Sequence, residues 1–277
     1  MSLATDSRRS PSTASSPLRR GRIPAGFVVL ATLGVALVAL PLLGLVLRTP
    51  WSRIGEILTS ETALTALRLS LIVATTAAAI SFVLGFPLAW VLVRSTFPGK
   101  TLVRAVVILP LVMPPVVAGV GLLAAFGRRS GLIGSWLYDW FGIQLTFTTG
   151  AAVLAATFVS FPLAVLALEA GLRGLDERLE DAAATLGASR WYVLRRVTLP
   201  LMGPQIAAAL VLSWARALGE FGATITFAGN LQGRTQTLPL AVFEQLQTDT
   251  DAGFAVSMLL ILLAFAVILA LRGRFLR

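Results

Sequence analysis

Six apolar stretches of about 20 residues each run through the chain, and each is long enough for an α-helix to cross the ~30 Å hydrocarbon layer of a bilayer. They cover residues 26–47, 69–93, 103–126, 150–172, 204–228 and 254–271. In hydrocarbon every backbone N–H and C=O must find its partner within the segment, so such stretches fold as helices. The sequence therefore predicts an all-α integral membrane protein with six transmembrane helices. A soluble chain of 277 residues has no core large enough to hide six such runs. The second helix is expected to start earlier, near Thr62, with an amphipathic lead-in lying on the membrane.

Residues 1–22 are rich in Ser, Pro and Arg and read as a disordered tail. The run behind them exceeds the 7–15 residues of a cleavable signal peptide. It reads instead as a first spanning helix, so that 23–61 holds this helix and its outer loop, and 62–272 the main domain.

Charge sets the orientation. Sixteen of the 23 basic residues fall in the tail, the second and fourth interhelical loops and the C-terminus, against five on the opposite side. The positive-inside rule then puts both termini and the 173–203 loop in the cytoplasm. The net charge of +10 sits in these loops, which marks it as a topology signal and argues against a nucleic-acid surface. Cysteine and histidine are absent, which removes disulfides, thiol nucleophiles, imidazole acid–base chemistry and Cys/His metal sites. On the outer side Trp136, Tyr138, Trp140 and Phe141 suit a helix at headgroup depth. No internal repeat supports a self-contained inverted-repeat transporter.

The loop between the fourth and fifth spans is unlike its surroundings. Residues 176–186 favour a helix, with acidic groups early, where the helix dipole prefers them. Ala182, Ala183 and Ala184 leave a smooth face, and Gly187 permits a left-handed turn. Ser189 can cap a second helix over 190–196 that carries Trp191, and Leu199-Pro200 should end it. The product is a helix–turn–helix hairpin over 176–200. From the residues alone, a helix resting on anionic lipid and a docking element for a soluble partner are equal readings.

Two stretches inside the membrane carry polar or irregular chemistry. Arg216 and Glu220 stand at i, i+4 in the fifth span, as one ion pair on one helical face. They form either a structural pair or a positive site offered to a passing anion. Gly219 and Gly222 beside them allow close approach of a helix or substrate. In the third span Pro110, Pro114 and Pro115 rule out a straight helix and leave a gate or a passive kink.

The sequence Asp181-Ala182-Ala183-x3-Gly187-x9-Val197-x-Leu199-Pro200 resembles the EAA loop of bacterial ABC importer permeases, with Asp for Glu and Val for Ile. In that family the loop is a coupling helix seated on an ATP-hydrolysing subunit. Leu109 to Gly119, Arg216 to Thr224 and Thr237-Leu238-Pro239-Leu240 further resemble the molybdate branch of the oxyanion permeases, as do Gly127-Arg128, Leu132-Ile133-Gly134, Phe147-Thr148 and Ser160-Phe161-Pro162-Leu163. The similarity runs from about residue 62 to 270.

It implies a type I ABC importer transmembrane domain that passes molybdate, with tungstate close in chemistry and sulfate or thiosulfate as the alternative cargo. It also implies a second permease copy, two cytoplasmic ATPase subunits, an extracytoplasmic oxyanion-binding protein and a bacterial cytoplasmic membrane. The implied coupling residues are Asp181, Ala182, Ala183, Gly187, Trp191, Leu199 and Pro200. Arg216, Gly219, Glu220, Gly222, Pro114 and Pro115 are candidates for the translocation path. ATP and Mg are expected on the partner, because this chain has no Gly-x4-Gly-Lys-Ser/Thr loop and Lys100 is its only lysine. A self-driven channel would need no docking hairpin, and an intramembrane hydrolase would need a nucleophile–base pair that the chain does not offer.

Overall fold

The computed structural model describes residues 24–275; the stretch 1–22 lies outside them. The chain divides into two units, one ending at Gly44 and one beginning at Leu45. The first described helix, α1 (Ala25–Arg48), is 24 residues long, about 36 Å and so long enough to span.

From Leu45 onward, helices alternate between spans and end caps. After α2 (Ile54–Leu58) come α3 (Glu61–Arg94), α4 (Lys100–Val112), α5 (Pro115–Phe126), α6 (Gly134–Phe141) and α7 (Thr149–Arg173). The hairpin follows as α8 (Glu177–Thr185), α9 (Arg190–Val193), a π-helical turn (Leu194–Thr198) and α10 (Leu199–Leu201). The chain ends with α11 (Gly203–Leu218), α12 (Gly222–Phe227), α13 (Leu238–Thr248) and α14 (Thr250–Phe275). No strand occurs among the described residues.

The expected six spans exist as helical regions but not as six unbroken helices. Four helices (α1, α3, α7 and α14) are long and apolar enough to cross a membrane alone. The third expected span is split, since Met113 and Pro114 are extended and Pro115 opens α5 as its first residue. Proline has no N–H to offer and its ring crowds the preceding turn, so α4 cannot run on. The fifth expected span is split at Gly219–Phe221 between α11 and α12. The second helix begins near Thr62, as expected, with Glu61 as its first residue. Ser60 caps α3 directly by accepting the Ala63 N–H at 3.3 Å, and α3 then runs 34 residues, about 51 Å, without a break.

Small side chains hold the bundle together. Along α3, Ala74 and Ala77 are buried in one cluster with Ala151, Ala152, Ala155 and Ala156 of α7, and Ala89 lies in another with Val165 and Leu168, while Ala66 packs with Ala241 of α13 and Ala255 of α14. Lipid tails are as apolar as leucine, so helices in a bilayer gain by approaching closely rather than by escaping water, and alanine and serine permit that approach. Ser81 and Ser160 meet in this seam with their hydroxyls 3.4 Å apart. At the hairpin end, a side chain at Gly171 would sit 2.7 Å from Gln205 Cβ, which brings α7 and α11 close together.

The opposite end is closed by polar contacts. Arg53, just before α2, bonds Asp249 and Asp251 at the start of α14, each at 3.4 Å. The Ala252 N–H, reinforced by the Arg53 charge, holds the Asp249 carboxyl below its usual range. In α6, Trp136 and Trp140 are exposed with ring centroids 5.5 Å apart, while Arg128 lies over the ring of Tyr138 at 3.9 Å.

Candidate functional site

The hairpin begins where Asp176 caps α8 by accepting the Arg178 N–H at 3.0 Å. Its turn closes as a Schellman ending: Ala188 N–H donates to Ala183 O at 3.1 Å, and Gly187 N–H to Ala184 O at 3.0 Å. Gly187 takes φ +85°, a conformation that a side chain resists. The alanines thus do more than leave a smooth face, because their carbonyls anchor the turn. Ser189 then caps α9 by accepting the Tyr192 N–H at 3.3 Å.

The second arm departs from expectation. Leu199-Pro200 does not end it; the helix continues to Leu201 and bends by 70° at Met202 into α11. Proline removes one ladder donor and crowds the carbonyl four residues back. The ladder accommodates this by widening beforehand, so that Leu199 N–H reaches Leu194 O, five residues back.

At the tip, Leu186 is 89% exposed, Trp191 64% and Tyr192 55%, with the Arg195 guanidinium 5.9 Å from the Trp191 ring. Three large apolar groups clustered on a polar element form a surface that calls for a cover. Asp181 and Ala182 are exposed, Ala183 and Leu199 half-buried, and Pro200 exposed. The network behind the tip was missed by sequence reasoning: Arg94 bonds Glu177 and Glu180, and Glu180 accepts from Thr198. Arg94 counted there only toward orientation, and its pairing with an acidic residue 86 positions away is invisible to local pattern. Deeper in, the buried Glu169 takes bonds from Arg104 and Arg173 and ties α4 to α7.

The two helix breaks form the second candidate site, and the structure brings them together. Arg216 Nη1 bonds Glu220 Oε2 at 2.6 Å, but not on one continuous helical face, because α11 ends at Leu218. Released from the helix, Glu220 turns its other oxygen to the Ala223 N–H at 2.8 Å and caps α12. Its residue is 2% exposed. A side chain on Gly222 would lie 2.7 Å from Pro115 Cβ and 3.2 Å from Val116 N, and one on Gly119 would lie 2.6 Å from Thr226 Cβ. The start of α12 therefore rests on the start of α5, and Pro115 and Glu220 border one junction. Gly219 differs, since a Cβ there would meet only Ala215 O at 3.8 Å; no close approach within the chain requires it. Pro114, Pro115 and Gly219 leave the junction uncovered on one side.

Gly222→Val should force α12 off α5 at a cost of about 1–3 kcal/mol, read as a lower melting temperature of the purified protein. Gly219→Ala should leave it nearly unchanged.

Residues 81–276 match the family model of the binding-protein-dependent transport system inner membrane component. The chain belongs to this family. Its members are permease subunits of ABC transporters, and the chain is accordingly a multi-pass membrane permease. The molybdenum transport system permease protein ModB of Mycobacterium tuberculosis (strain ATCC 25618 / H37Rv) is 45% identical over 91% of this chain and 95% of its own length. The protein of that name from Escherichia coli (strain K12) is 51% identical over 73% of this chain and 88% of its own. The sulfate transport system permease protein CysT of Escherichia coli (strain K12) stands at 36%, over 85% and 87%.

Among solved structures, a bacterial alginate ABC transporter in complex with an alginate-bound periplasmic protein superposes with a TM-score of 0.72 at 17% identity. The match covers 90% of this permease and 94% of that chain. The MetNI methionine ABC transporter, in an inward-facing conformation, gives 0.59 at 17%, over 76% and 95%. At such identities these two speak for the fold alone.

Proposed function

We propose that two copies of this permease form the membrane path of an ATP-driven importer for molybdate, a tetrahedral dianion that tungstate closely imitates. The observation that carries the cargo is the gap in identity: 45–51% to permeases named for molybdenum against 36% to one named for sulfate. In this reading the chain sits in a bacterial cytoplasmic membrane with the hairpin and both termini inside, as the distribution of its arginines favours. ATP and Mg act on two partner ATPase subunits that grip the apolar tip at Leu186, Trp191 and Tyr192. A binding protein on the far side delivers the anion and supplies most of the selectivity.

ATP-driven closure of the ATPase pair moves the hairpins, and the spans rock. The junction of α5 and α12 is suited to serve as the gate, because two short helices meeting at a proline and a glycine can shift without breaking a continuous ladder. Arg216 supports an anion path. It keeps 30% of its side-chain surface exposed although bonded to Glu220, which leaves positive potential beside the junction.

The test is uptake of labelled molybdate into proteoliposomes holding the permease with its ATPase and binding protein. Molybdate and tungstate should compete with each other, and a hundredfold excess of sulfate should leave uptake intact. Sulfate uptake blocked only by excess molybdate would reassign the cargo, and uptake without ATP would remove the importer reading.

A further inference from the structure

The hairpin is joined along the chain to α7 before it and α11 after it, yet its polar contacts reach a third helix. Arg94, the last residue of α3, places Nη2 2.8 Å from Glu180 Oε2 and Nη1 on Glu177. The other oxygen of Glu180 accepts from Thr198 Oγ1 at 2.6 Å, and Thr198 is fully buried in the π-helical turn. Arg94 and Glu180 retain only 18% and 16% of their side-chain surface. Trp90, one turn back on α3, holds the Arg94 guanidinium against its ring at 5.7 Å. One carboxylate thus clasps both arms of the hairpin to the end of α3. None of this is needed to shape α8, which its own cap and Schellman turn already start and stop.

The element that follows the hairpin is a poor conductor of a push. Between the hairpin and α11 lies the 70° bend at Met202, and α11 itself stops at the Gly219 break. By contrast α3, like α7 before the hairpin, is one continuous helix, and it stays helical through Pro87 over 34 residues. Near its other end Ser70 Oγ accepts the Leu238 N–H at 2.7 Å and Thr62 Oγ1 accepts from Gln232 at 2.9 Å. A continuous helix with polar joints near both ends transmits displacement, whereas a bent or interrupted one absorbs it.

We infer that Arg94, Glu180 and Thr198 form the joint that delivers hairpin movement to α3, and that α3 carries it to the far-side loop before α13. This rests on the reading of the hairpin as the seat of an ATPase. The three are positioning residues that touch neither nucleotide nor cargo.

The experiment uses the complete transporter in proteoliposomes, with molybdate uptake and ATP hydrolysis measured on the same sample. Arg94→Ala and Thr198→Val should keep the ATPase bound and hydrolysing while uptake per ATP falls about five- to tenfold, the range of a typical coupling free energy. Arg94→Lys should restore part of the ratio, since an ammonium lacks the planar fork that spans Glu177 and Glu180. A purely structural role would instead lower uptake and hydrolysis together, and that result overturns the inference. Loss of the ATPase from the purified wild-type complex would overturn the docking reading beneath it.

A second measurement exploits the absence of cysteine from the chain. Arg94→Cys combined with Glu180→Cys should uncouple, and bridging the pair with a short bifunctional thiol reagent should restore uptake per ATP. A bridged pair that stays uncoupled also overturns the inference.

Discussion

Gly187→Asp should abolish uptake, by about a hundredfold or more, while the chain still inserts and folds. The backbone accounts for the smaller part of this. At φ +85° a side chain costs about 1–2 kcal/mol, and aspartate is among the residues that tolerate the left-handed region best. Space within the chain is not the obstacle either, because a Cβ at Gly187 would meet nothing within 4 Å. The larger part arises if the tip is seated in a partner's groove. There the new carboxylate loses water without gaining a cation, and it sits at the negative end of the α8 dipole. Gly187→Ala provides the comparison, bearing the backbone cost and a methyl group but no charge, and should lose about tenfold at most. Uptake, ATP hydrolysis and retention of the ATPase on purification read out both variants. Wild-type uptake by Gly187→Asp would remove the tip from the docking surface.

Arg216→Ala should destabilise the permease by about 3 kcal/mol, towards the lower end for breaking a buried pair because Arg216 is partly exposed. The penalty comes from Glu220, left 2% exposed with its negative charge opposed only by the Ala223 N–H. Glu220→Gln should cost less, about 1 kcal/mol, since its amide oxygen can still accept from Ala223 or Arg216. Melting of the detergent-purified protein separates the two variants. Transport then divides structure from path: Arg216→Lys keeps the charge and should keep most uptake, whereas Arg216→Ala should lose more uptake than its loss of folded protein explains. Uptake and melting both unchanged in Arg216→Ala would show that the pair serves neither purpose.

What was legible in advance follows from the range of the physics involved. The turn at Gly187 and the Ser189 cap are governed by residues within five positions of one another, and both lie where the sequence predicts them; the Asp176 cap of α8 is equally local. Pro200 shows where local reasoning stops. A proline forbids the regular ladder, but whether the helix ends or widens into a π turn depends on what waits to bury Thr198 and receive its hydroxyl. Arg216 and Glu220 teach the same lesson, for their i, i+4 spacing suggested one helix face and they pair across a helix end instead. The Arg94–Glu180 clasp, 86 positions apart in the chain, had no local signal at all.

By itself the sequence determined the environment and the local grammar: apolar runs long enough to span, prolines that forbid a straight third helix, and a glycine turn. These follow from short-range sterics and from the cost of leaving backbone groups unpaired in hydrocarbon. Only the tertiary structure decided that the broken third and fifth spans meet at Pro115 and Gly222, that Gly219 is not pressed by a neighbour, and that the hairpin is clasped to α3. Those outcomes depend on which surfaces pack together, and packing is settled by the whole bundle at once rather than by any stretch of chain.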